Sequence, residues 1–273
     1  MTELLVEPQW LASHLSDPDL RIVDLCKAEH FAKHHVPGAV HLAYEKLVAK
    51  APPVGGLLPD RDDFAALVSG LGISNGQRII AYDEEGGGRA ARLIWSLHAY
   101  GHRQVSLLNG GATAWLNEGF PLEDTVMERP GSTFDATLDD SVIADFTYVS
   151  RALNQSQCAL LDARSLEEYT GARRNAEHGG HIPGARRLEW TDLMDRSRNL
   201  RLKLPAEIHA QLQTLGIDPA QEVIVYCQTH HRSALNYVAL KWLGFERVRG
   251  YPGSWSDWGN RADAPVASGE EPG

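Results

Sequence analysis

A single cysteine with a run of polar and cationic neighbours is the part of this sequence best suited to chemistry. Cys227 is followed directly by Gln228, Thr229, His230, His231 and Arg232. The thiolate is the reactive form of cysteine and a free thiol has a pKa of about 8.5, so a neighbouring cation favours ionisation. No Asp or Glu occurs from residue 223 to residue 245, although the whole chain carries a net charge of −10. The pattern therefore predicts a nucleophilic cysteine in a locally positive pocket.

The flanking residues predict that this cysteine lies between a strand and a helix. Residues 223–226 form a continuous apolar run, which is typical of a parallel strand buried on both faces. From Ser233 onward apolar residues recur at helical spacing, and Gly244 then favours a helix end. Ligands of open α/β sheets bind at the carboxyl ends of strands. There, loop N–H groups and the positive end of the helix dipole would also stabilise a thiolate.

The chain contains the same plan twice. Three segments recur in the same order, the pairs being 20–25 with 159–164, 78–82 with 223–226, and 89–100 with 232–243. Alternation of strands and helices within each copy predicts an α/β fold of two tandem domains, each with a parallel sheet flanked by helices on both faces. We predict a first domain at 1–125, a linker at 126–142 and a second domain at 143–273.

The two copies differ at the loop that holds the cysteine. Tyr82 corresponds to Tyr226, so Asp83 takes the place of Cys227 in the first copy, and Glu84 and Glu85 follow it. A carboxylate cannot act as a thiolate, and three successive acids repel an anionic ligand. The first domain is therefore predicted to be non-catalytic, with the one competent site in the second.

Composition narrows the class of protein further. The chain has 273 residues, 43% of them hydrophobic, and three cysteines, a number that fits a reducing compartment better than a disulfide framework. The N-terminus has no basic region followed by an apolar segment, and no apolar run reaches the roughly 20 residues of a membrane span. The negative net charge argues against nucleic acid as a partner. We expect a soluble, cytoplasmic protein, and a monomer, because the duplication lets one chain form its own pseudo-dimer.

Two further segments carry a resemblance to a known family. Residues 31–42, Phe-Ala-Lys-His-His-Val-Pro-Gly-Ala-Val-His-Leu, look like the N-terminal signature of tandem-domain rhodanese sulfurtransferases. Residues 248–258, Val-Arg-Gly-Tyr-Pro-Gly-Ser-Trp-Ser-Asp-Trp, look like the C-terminal signature, with Asp257 where glutamate is more usual. Together with the duplication and four residues between Cys227 and Arg232, they resemble that family over nearly the whole chain. The resemblance implies two facing α/β domains with the active cysteine in the second.

The resemblance also implies a reaction. The Cys-Gln-Thr-His-His-Arg loop looks like that of certain bacterial thiosulfate sulfurtransferases, in which the cysteine carries sulfur as a persulfide. Cys227 would attack thiosulfate and release sulfite, and cyanide, a thiol or a sulfur-accepting protein such as thioredoxin would then take the sulfur. Arg232 would hold the sulfonate and brace the loop, and His230 and His231 would bind sulfite. Gln228 and Thr229 complete the substrate-binding loop, and Trp190 is a further pocket candidate.

Other functions remain open at this stage. Mercaptopyruvate is the alternative sulfur donor, and a persulfide carrier for a partner protein is a non-enzymatic alternative. A cysteine phosphatase also combines Cys with Arg, but usually with five intervening residues, which encircle a phosphate, rather than four.

Residues outside the loop receive structural interpretations. Cys26, His30 and His34 have the spacing of one helix face, but the second copy has no such row, so we predict no metal and no cofactor. Arg164 is expected to form a buried ion pair with an acid such as Glu168. Cys158 is expected to be buried and Cys26 to be partly exposed.

Overall fold

The structure is a computed structural model that describes residues 3–126, 130–153 and 155–273. The strands are, in chain order, β1 Leu5–Val6, β2 Leu20–Asp24, β3 Val40–His41, β4 Ala49–Ala51, β5 Val54–Leu57, β6 Arg78–Tyr82, β7 Val105–Leu108, β8 Cys158–Asp162, β9 Arg186–Arg187, β10 Met194–Asp195, β11 Arg201–Leu202, β12 Glu222–Tyr226 and β13 Val248–Gly250. The helices are α1 Pro8–Ser13, α2 Ala28–Phe31, α3 Arg61–Gly70, α4 Gly88–Ala99, α5 Gly111–Asn117, α6 Phe146–Ala152, α7 Leu166–Thr170, α8 Pro205–Thr214, α9 Arg232–Trp242 and α10 Ser254–Trp258.

The chain divides into two compact units. Unit 1 comprises residues 1–47, 59–139 and 194–202, and unit 2 comprises residues 48–58, 140–193 and 203–273. Each unit therefore includes one short hairpin from the part of the sequence that otherwise belongs to the other copy: β4–β5 in unit 2 and β10–β11 in unit 1. The domain limits 1–125, 126–142 and 143–273 stay a prediction, and residues 127–129 of the predicted linker lie outside the described residues.

Unit 1 is built on a five-stranded parallel sheet in the order β1-β7-β6-β2-β3. Successive side chains of a strand point to opposite faces, so each central strand packs against helices on both sides. One face buries Ile22 and Ile80 against Leu11 of α1 and Trp115 of α5. Helix α4 packs on β6 and β7. The α/β fold with helices on both faces of a parallel sheet, predicted from the sequence, is confirmed.

Unit 2 repeats this plan with a four-stranded parallel sheet in the order β13-β12-β8-β9. Leu160 and Ile224 pack on one face against Trp255 and Val149. Helix α9 packs on β12 and β13. Burying a large apolar side chain contributes about 1.5–3 kcal/mol, so these faces hold the strand ends, and the loops that follow them, in place. No helix in the described part of the chain is long and apolar enough to span a membrane.

Two expectations about cysteines are wrong. Cys26 is buried, because it follows the central strand β2 and packs in the same cluster as Phe31 and Trp115. Cys158 is only partly buried, because it is the first residue of β8, where the strand enters from the surface.

Candidate active site

Cys227 lies directly after β12, and α9 begins five residues later. Helix α9 has His231 at its N-cap but no side-chain capping hydrogen bond. Instead the Ser233 amide in its first turn donates to the sulfur of Cys227, as do the Thr229 amide and the Ser233 hydroxyl. The thiol therefore accepts the hydrogen bonds that a side-chain cap would otherwise satisfy at a helix start.

The charge state of Cys227 follows from these contacts. The side chain is buried, which by itself raises the pKa of a thiol. The Arg232 guanidinium, the Ser233 hydroxyl and the Ser233 and Thr229 amides all favour the thiolate, and together they lower the pKa of Cys227 below that of an ordinary cysteine. The arrangement prepares a nucleophile that is ionised at a lower pH than a free thiol.

Arg232 is held in place by a carboxylate. Its two terminal nitrogens lie 2.6 Å and 2.8 Å from the two carboxylate oxygens of Glu168, a bidentate pair. Glu168 belongs to α7, where its side chain also accepts from the amide of Ser165, the N-cap residue. Burial opposes the charge of Glu168, but the Arg232 guanidinium outweighs it and lowers its pKa to about 2. The local sequence indicated a pocket without acidic residues, and this is wrong. Glu168, 64 residues away in the sequence, lies against Arg232 and neutralises much of its charge.

The expected pairing of Arg164 with Glu168 is wrong. Arg164 does form a buried ion pair, but with Asp162, whose carboxylate lies 2.6 Å from its terminal nitrogen. Its guanidinium also lies over the Trp255 ring at 4.4 Å and donates to the Gly180 carbonyl at 2.7 Å. Asp162 is two residues away at the end of β8, so the short connection decides the partner, and Glu168 remains for Arg232.

The backbone of the cysteine loop is fixed by the residues before and within α10. The Ser254 hydroxyl accepts from the Cys227 amide at 3.2 Å and from the His230 amide at 3.1 Å. The Trp255 and Ser256 amides donate to the carbonyls of Cys227 and Gln228. His230 and Ser254 have φ angles of 52° and 49°, in the left-handed region that costs about 1–3 kcal/mol for a non-glycine residue. These contacts hold the loop in a strained conformation that turns its amides toward the sulfur.

The remaining predicted site residues fall into a buried and a peripheral group. His230 is fully buried, with its Nδ1 2.8 Å from the Ser233 hydroxyl, so it lies beneath the loop. Gln228, Thr229 and His231 are partly exposed. The Trp190 ring centroid lies 5.9 Å from that of His231. The structure therefore brings all seven predicted residues into one neighbourhood of unit 2, and their roles in substrate binding stay predictions.

The β4–β5 hairpin packs directly against this loop. The Gly55 amide donates to the Ser256 hydroxyl at 3.0 Å, across 201 positions of sequence. Gly56 has a φ of 71°, and a Cβ atom on it would lie 2.1 Å from the Thr229 carbonyl oxygen. A glycine is required there because the hairpin backbone touches the backbone of the cysteine loop.

Replacing Gly56 with alanine should therefore displace the loop. We expect the free energy of unfolding to fall by about 1–3 kcal/mol because of the left-handed φ and the clash. The alkylation rate of Cys227 should also fall, by a factor that corresponds to a larger free energy. Gly55→Ala is the matched control, since its Cβ would meet the Thr229 methyl at 3.4 Å, an ordinary contact. Urea unfolding and the alkylation rate of Cys227 measure the two effects. Equal behaviour of the two variants would contradict the role given to the hairpin.

The corresponding loop of unit 1 holds a carboxylate in place of the thiol. The Asp83 carboxylate accepts from the amides of Glu85, Gly87 and Ala90 at 2.8–2.9 Å. Burial and the nearby Glu85 charge raise its pKa to about 6, against the opposing effect of those amides. Converging amides at this strand end thus hold an acidic group in both units, a carboxylate in one and a thiol in the other. Asp83 follows β6 as Cys227 follows β12, and the non-catalytic character of the first domain stays a prediction.

Sequence reasoning missed four residues of the site. Ser233 and Ser254 lie in segments with other sequence signals, but a serine in such a segment carries no signal of its own. Glu168 and Gly56 are distant in the sequence and are brought to the loop by the fold.

Cys26, His30 and His34 do not lie on one helix face. Helix α2 ends at Phe31, so His34 lies beyond it and cannot share one helix face with Cys26 and His30. Within residues 3–126, 130–153 and 155–273, no group of three His, Cys, Asp or Glu side chains is arranged to hold a metal ion.

Comparisons with known proteins agree with this geometry. The family model of the rhodanese-like domain matches residues 7–118 and again residues 145–261. The chain is 43% identical to the thiosulfate sulfurtransferase of Azotobacter vinelandii over 263 residues, 96% of each chain. It is 31% identical to the sulfur carrier protein TtuD of Thermus thermophilus, over 98% of each chain. SseA of Escherichia coli, described as a 3-mercaptopyruvate sulfotransferase, superposes with a TM-score of 0.83 at 29% identity, over 94% of this chain and 100% of SseA. This chain, with its two matched segments and its two parallel sheets, belongs to the rhodanese-like domain family.

Proposed function

We propose that this chain is a thiosulfate sulfurtransferase with Cys227 as the residue that carries the sulfur. The observation that carries this proposal is the cradle around Cys227, in which Arg232, Ser233 and Thr229 lower the pKa of a buried thiol. A thiolate is soft, nucleophilic and able to hold and release a second sulfur. The identity to the Azotobacter vinelandii enzyme over 96% of both chains supports thiosulfate as the donor.

The reaction is a double displacement. The Cys227 thiolate attacks the outer sulfur of thiosulfate, a new S–S bond forms, and the original S–S bond breaks with its electron pair leaving on sulfite. The enzyme is left as a Cys227 persulfide. Cyanide or a thiolate then attacks the outer sulfur, thiocyanate or a small persulfide leaves, and the Cys227 thiolate is restored. A protein thiol such as that of thioredoxin fits the same second step.

The surrounding residues divide into those that act on the sulfur and those that position others. Thr229 and Ser233 donate hydrogen bonds to the sulfur, and these bonds stabilise its negative charge. Arg232 supplies positive charge next to the sulfur while Glu168 fixes its fork, so its main role is to hold the thiolate and the loop. Gln228, His231 and Trp190 lie at the periphery, where they would contact the sulfonate or sulfite. His230 orients the Ser233 hydroxyl from below.

The likeness to SseA supports mercaptopyruvate as a second donor. The two donors make different demands on the site. Sulfite leaves thiosulfate without needing a proton, whereas loss of sulfur from mercaptopyruvate leaves an enolate that must be protonated. His230 is the fully buried basic side chain of the loop, and its Nδ1 is hydrogen-bonded to the Ser233 hydroxyl. This arrangement favours thiosulfate.

A carrier role and a phosphatase role are separable from this proposal. The likeness to TtuD supports sulfur delivery to a partner protein, which would use the same persulfide but with slow turnover on cyanide. A phosphatase needs an arginine fork free to hold phosphate oxygens, and both terminal nitrogens of Arg232 are bonded to Glu168.

The test is a donor comparison on the purified chain. Thiocyanate formation from cyanide is measured with thiosulfate and with mercaptopyruvate as donor, and hydrolysis of an aryl phosphate is measured in parallel. We expect kcat/KM for thiosulfate to exceed that for mercaptopyruvate by about tenfold or more, a difference of about 1.4 kcal/mol in transition-state stabilisation. A preference for mercaptopyruvate, or hydrolysis of the phosphate at a comparable rate, would refute the assignment.

A further inference from the structure

Unit 1 contains a cavity at the position that a buried arginine occupies in unit 2. This cavity, here named the Asp24 cavity, has a volume of about 360 Å³. The residues of its wall that matter here are Asp24, Cys26, His34, Tyr82, Glu84 and Trp115. Its volume lies within the range of about 300–1,000 Å³ that is typical of small-molecule sites.

The correspondence between the two units is residue by residue. Asp24 pairs with Tyr82 across β2 and β6, as Asp162 pairs with Tyr226 across β8 and β12. Asp24 and Asp162 each accept from the amide two residues later, which belongs to Cys26 in unit 1 and to Arg164 in unit 2.

The two tyrosines correspond in the same way. The Tyr82 hydroxyl accepts from the amide of Val36, and the Tyr226 hydroxyl accepts from that of Ile182. The tryptophans do not: the Ala112 amide donates to the Asp83 carbonyl as the Trp255 amide donates to that of Cys227, so Ala112 takes the place of Trp255, and Trp115, which lines the cavity, corresponds to Trp258. Cys26 therefore stands where unit 2 has Arg164.

In unit 2 this position holds a complete guanidinium site. The Arg164 side chain donates to both oxygens of Asp162, at 2.6–3.0 Å, and to the Gly180 carbonyl at 2.7 Å. Its plane lies over the Trp255 ring, with the central carbon 4.4 Å from the ring centroid. A carboxylate, a carbonyl and an aromatic face are the three features that bind a planar cation.

In unit 1 the carboxylate is present without the cation, and the small side chains of Cys26 and Ala112 stand where unit 2 has Arg164 and Trp255. Asp24 is buried and accepts from the Tyr82 hydroxyl and the Cys26 amide. Among the described residues, no Lys, Arg or His nitrogen lies within 4.0 Å of its carboxylate. Burial raises the pKa of Asp24 and outweighs the hydrogen bonds from Tyr82 and Cys26 and the nearby His41, which act in the opposite direction. A buried carboxylate next to an open space is a strong attractor for a cation that fits.

The other charged groups around the cavity leave this preference in place. Glu84 is already paired with Arg89 at 3.1 Å. Lys33 is exposed and the His30 side chain is 45% exposed, so both lie at the mouth, where solvent screens them. Burial and the nearby acids raise the pKa of Cys26, so this side chain is a neutral thiol. His34 and His35 also line the cavity, and Asp24 is the fully buried acid among its lining residues.

We propose that the Asp24 cavity binds a small planar organic cation, a guanidinium or an amidinium, in the place that the Arg164 side chain takes in unit 2. The carboxylate of Asp24 would form the paired hydrogen bonds, and Trp115 would form an aromatic wall of the site. The site is separate from Cys227 and its loop, so it adds a ligand-binding function to a unit that lacks the nucleophile.

The test compares a cation with its neutral isostere. Binding of methylguanidinium and of methylurea is measured by isothermal titration calorimetry on the full chain, with sodium chloride balancing the ionic strength. We expect methylguanidinium to bind with a Kd of about 1 mM or tighter and methylurea to bind at least about tenfold more weakly. No measurable binding of methylguanidinium, or equal binding of the two, would overturn the proposal.

Two variants place the binding in the cavity. Asp24→Asn removes the carboxylate and should lower the affinity for methylguanidinium at least about tenfold. Cys26→Arg should fill the cavity with its own guanidinium, fold with an unchanged or raised thermal midpoint and abolish binding. Sulfur transfer at Cys227 should be unaffected in Cys26→Arg, which shows that the protein is intact. Binding retained in a folded Cys26→Arg protein, or failure of that variant to fold, would contradict the proposed fit.

Discussion

Replacing Cys227 with serine is expected to abolish sulfur transfer while leaving the fold intact. A serine hydroxyl is not ionised by the Arg232 charge and the loop amides, and it cannot carry sulfur as a persulfide. Turnover of thiosulfate and cyanide should fall by about 10⁴-fold or more, because no other group replaces a covalent nucleophile. The measurement is thiocyanate formation, with the thermal midpoint of unfolding as the check on the fold.

The two other cysteines provide matched controls. Cys26→Ser and Cys158→Ser should keep most of the activity, since both thiols have raised pKa values and neither lies in the cysteine loop. Mass spectrometry after thiosulfate treatment should find one additional sulfur on the peptide that contains Cys227. Thiocyanate formation without that sulfur would rule out the covalent route, and appreciable turnover by Cys227→Ser would refute the nucleophile.

Replacing Arg232 with methionine is expected to impair both stability and chemistry, for two different reasons. The change leaves Glu168 buried without its partner, which should cost about 3 kcal/mol in the free energy of unfolding. It also removes the positive charge that lowers the pKa of Cys227. The pH at which the thiol ionises should therefore rise, and alkylation of Cys227 at neutral pH should slow by about tenfold for each unit of pKa.

A double variant separates the two effects. Changing Glu168 to methionine together with Arg232 replaces the buried pair by apolar side chains and should recover most of the stability. It should not recover the reactivity, because the cation near the sulfur is still missing. Urea unfolding gives the first quantity, and the rate of iodoacetamide alkylation as a function of pH gives the second. A double variant that alkylates at the wild-type rate would show that Arg232 does not tune the thiol.

The pH dependence of the wild-type enzyme has a definite sign. A lowered pKa means that the folded chain releases the Cys227 proton at a lower pH than the unfolded chain does. The thiolate contribution to stability is therefore present above the unfolded pKa and is lost as the pH falls through the folded one. Asp83 acts in the opposite direction, since its pKa is raised to about 6: its contribution to stability falls as the pH rises from about 4 to about 6.

The features that could be predicted from the sequence are those encoded by neighbouring residues. The apolar run ending at Tyr226, the helical spacing after Ser233 and the repeat of both in the first copy predict the strand, the helix and the loop between them. The same alignment predicts that Asp83 replaces Cys227. Periodicity and loop composition involve only a few neighbouring residues, so they can be recognised without knowledge of the fold.

Long-range contacts could not be predicted in this way. Several acids could pair with Arg164 or Arg232 in a plausible fold. Only the path of the chain decides that Asp162 pairs with Arg164 and Glu168 with Arg232. Gly56 gives no sign in the sequence that it touches Thr229. The sequence predicts a partly exposed Cys26 before a helix, whereas the fold buries it as a small residue that leaves the Asp24 cavity open.

The Cys227–Arg232 stretch illustrates the division. By itself the sequence determined the position of the cysteine predicted to be the nucleophile, the cation five residues after it and the strand-to-helix setting that turns amides toward the sulfur. The tertiary structure decided how strongly that setting acts, by bringing Glu168 to Arg232, Ser254 to the loop amides and the β4–β5 hairpin to Thr229. The reason is physical: hydrogen-bonding capacity and charge belong to each residue, but their effect on a thiol depends on distance and burial, which only packing sets.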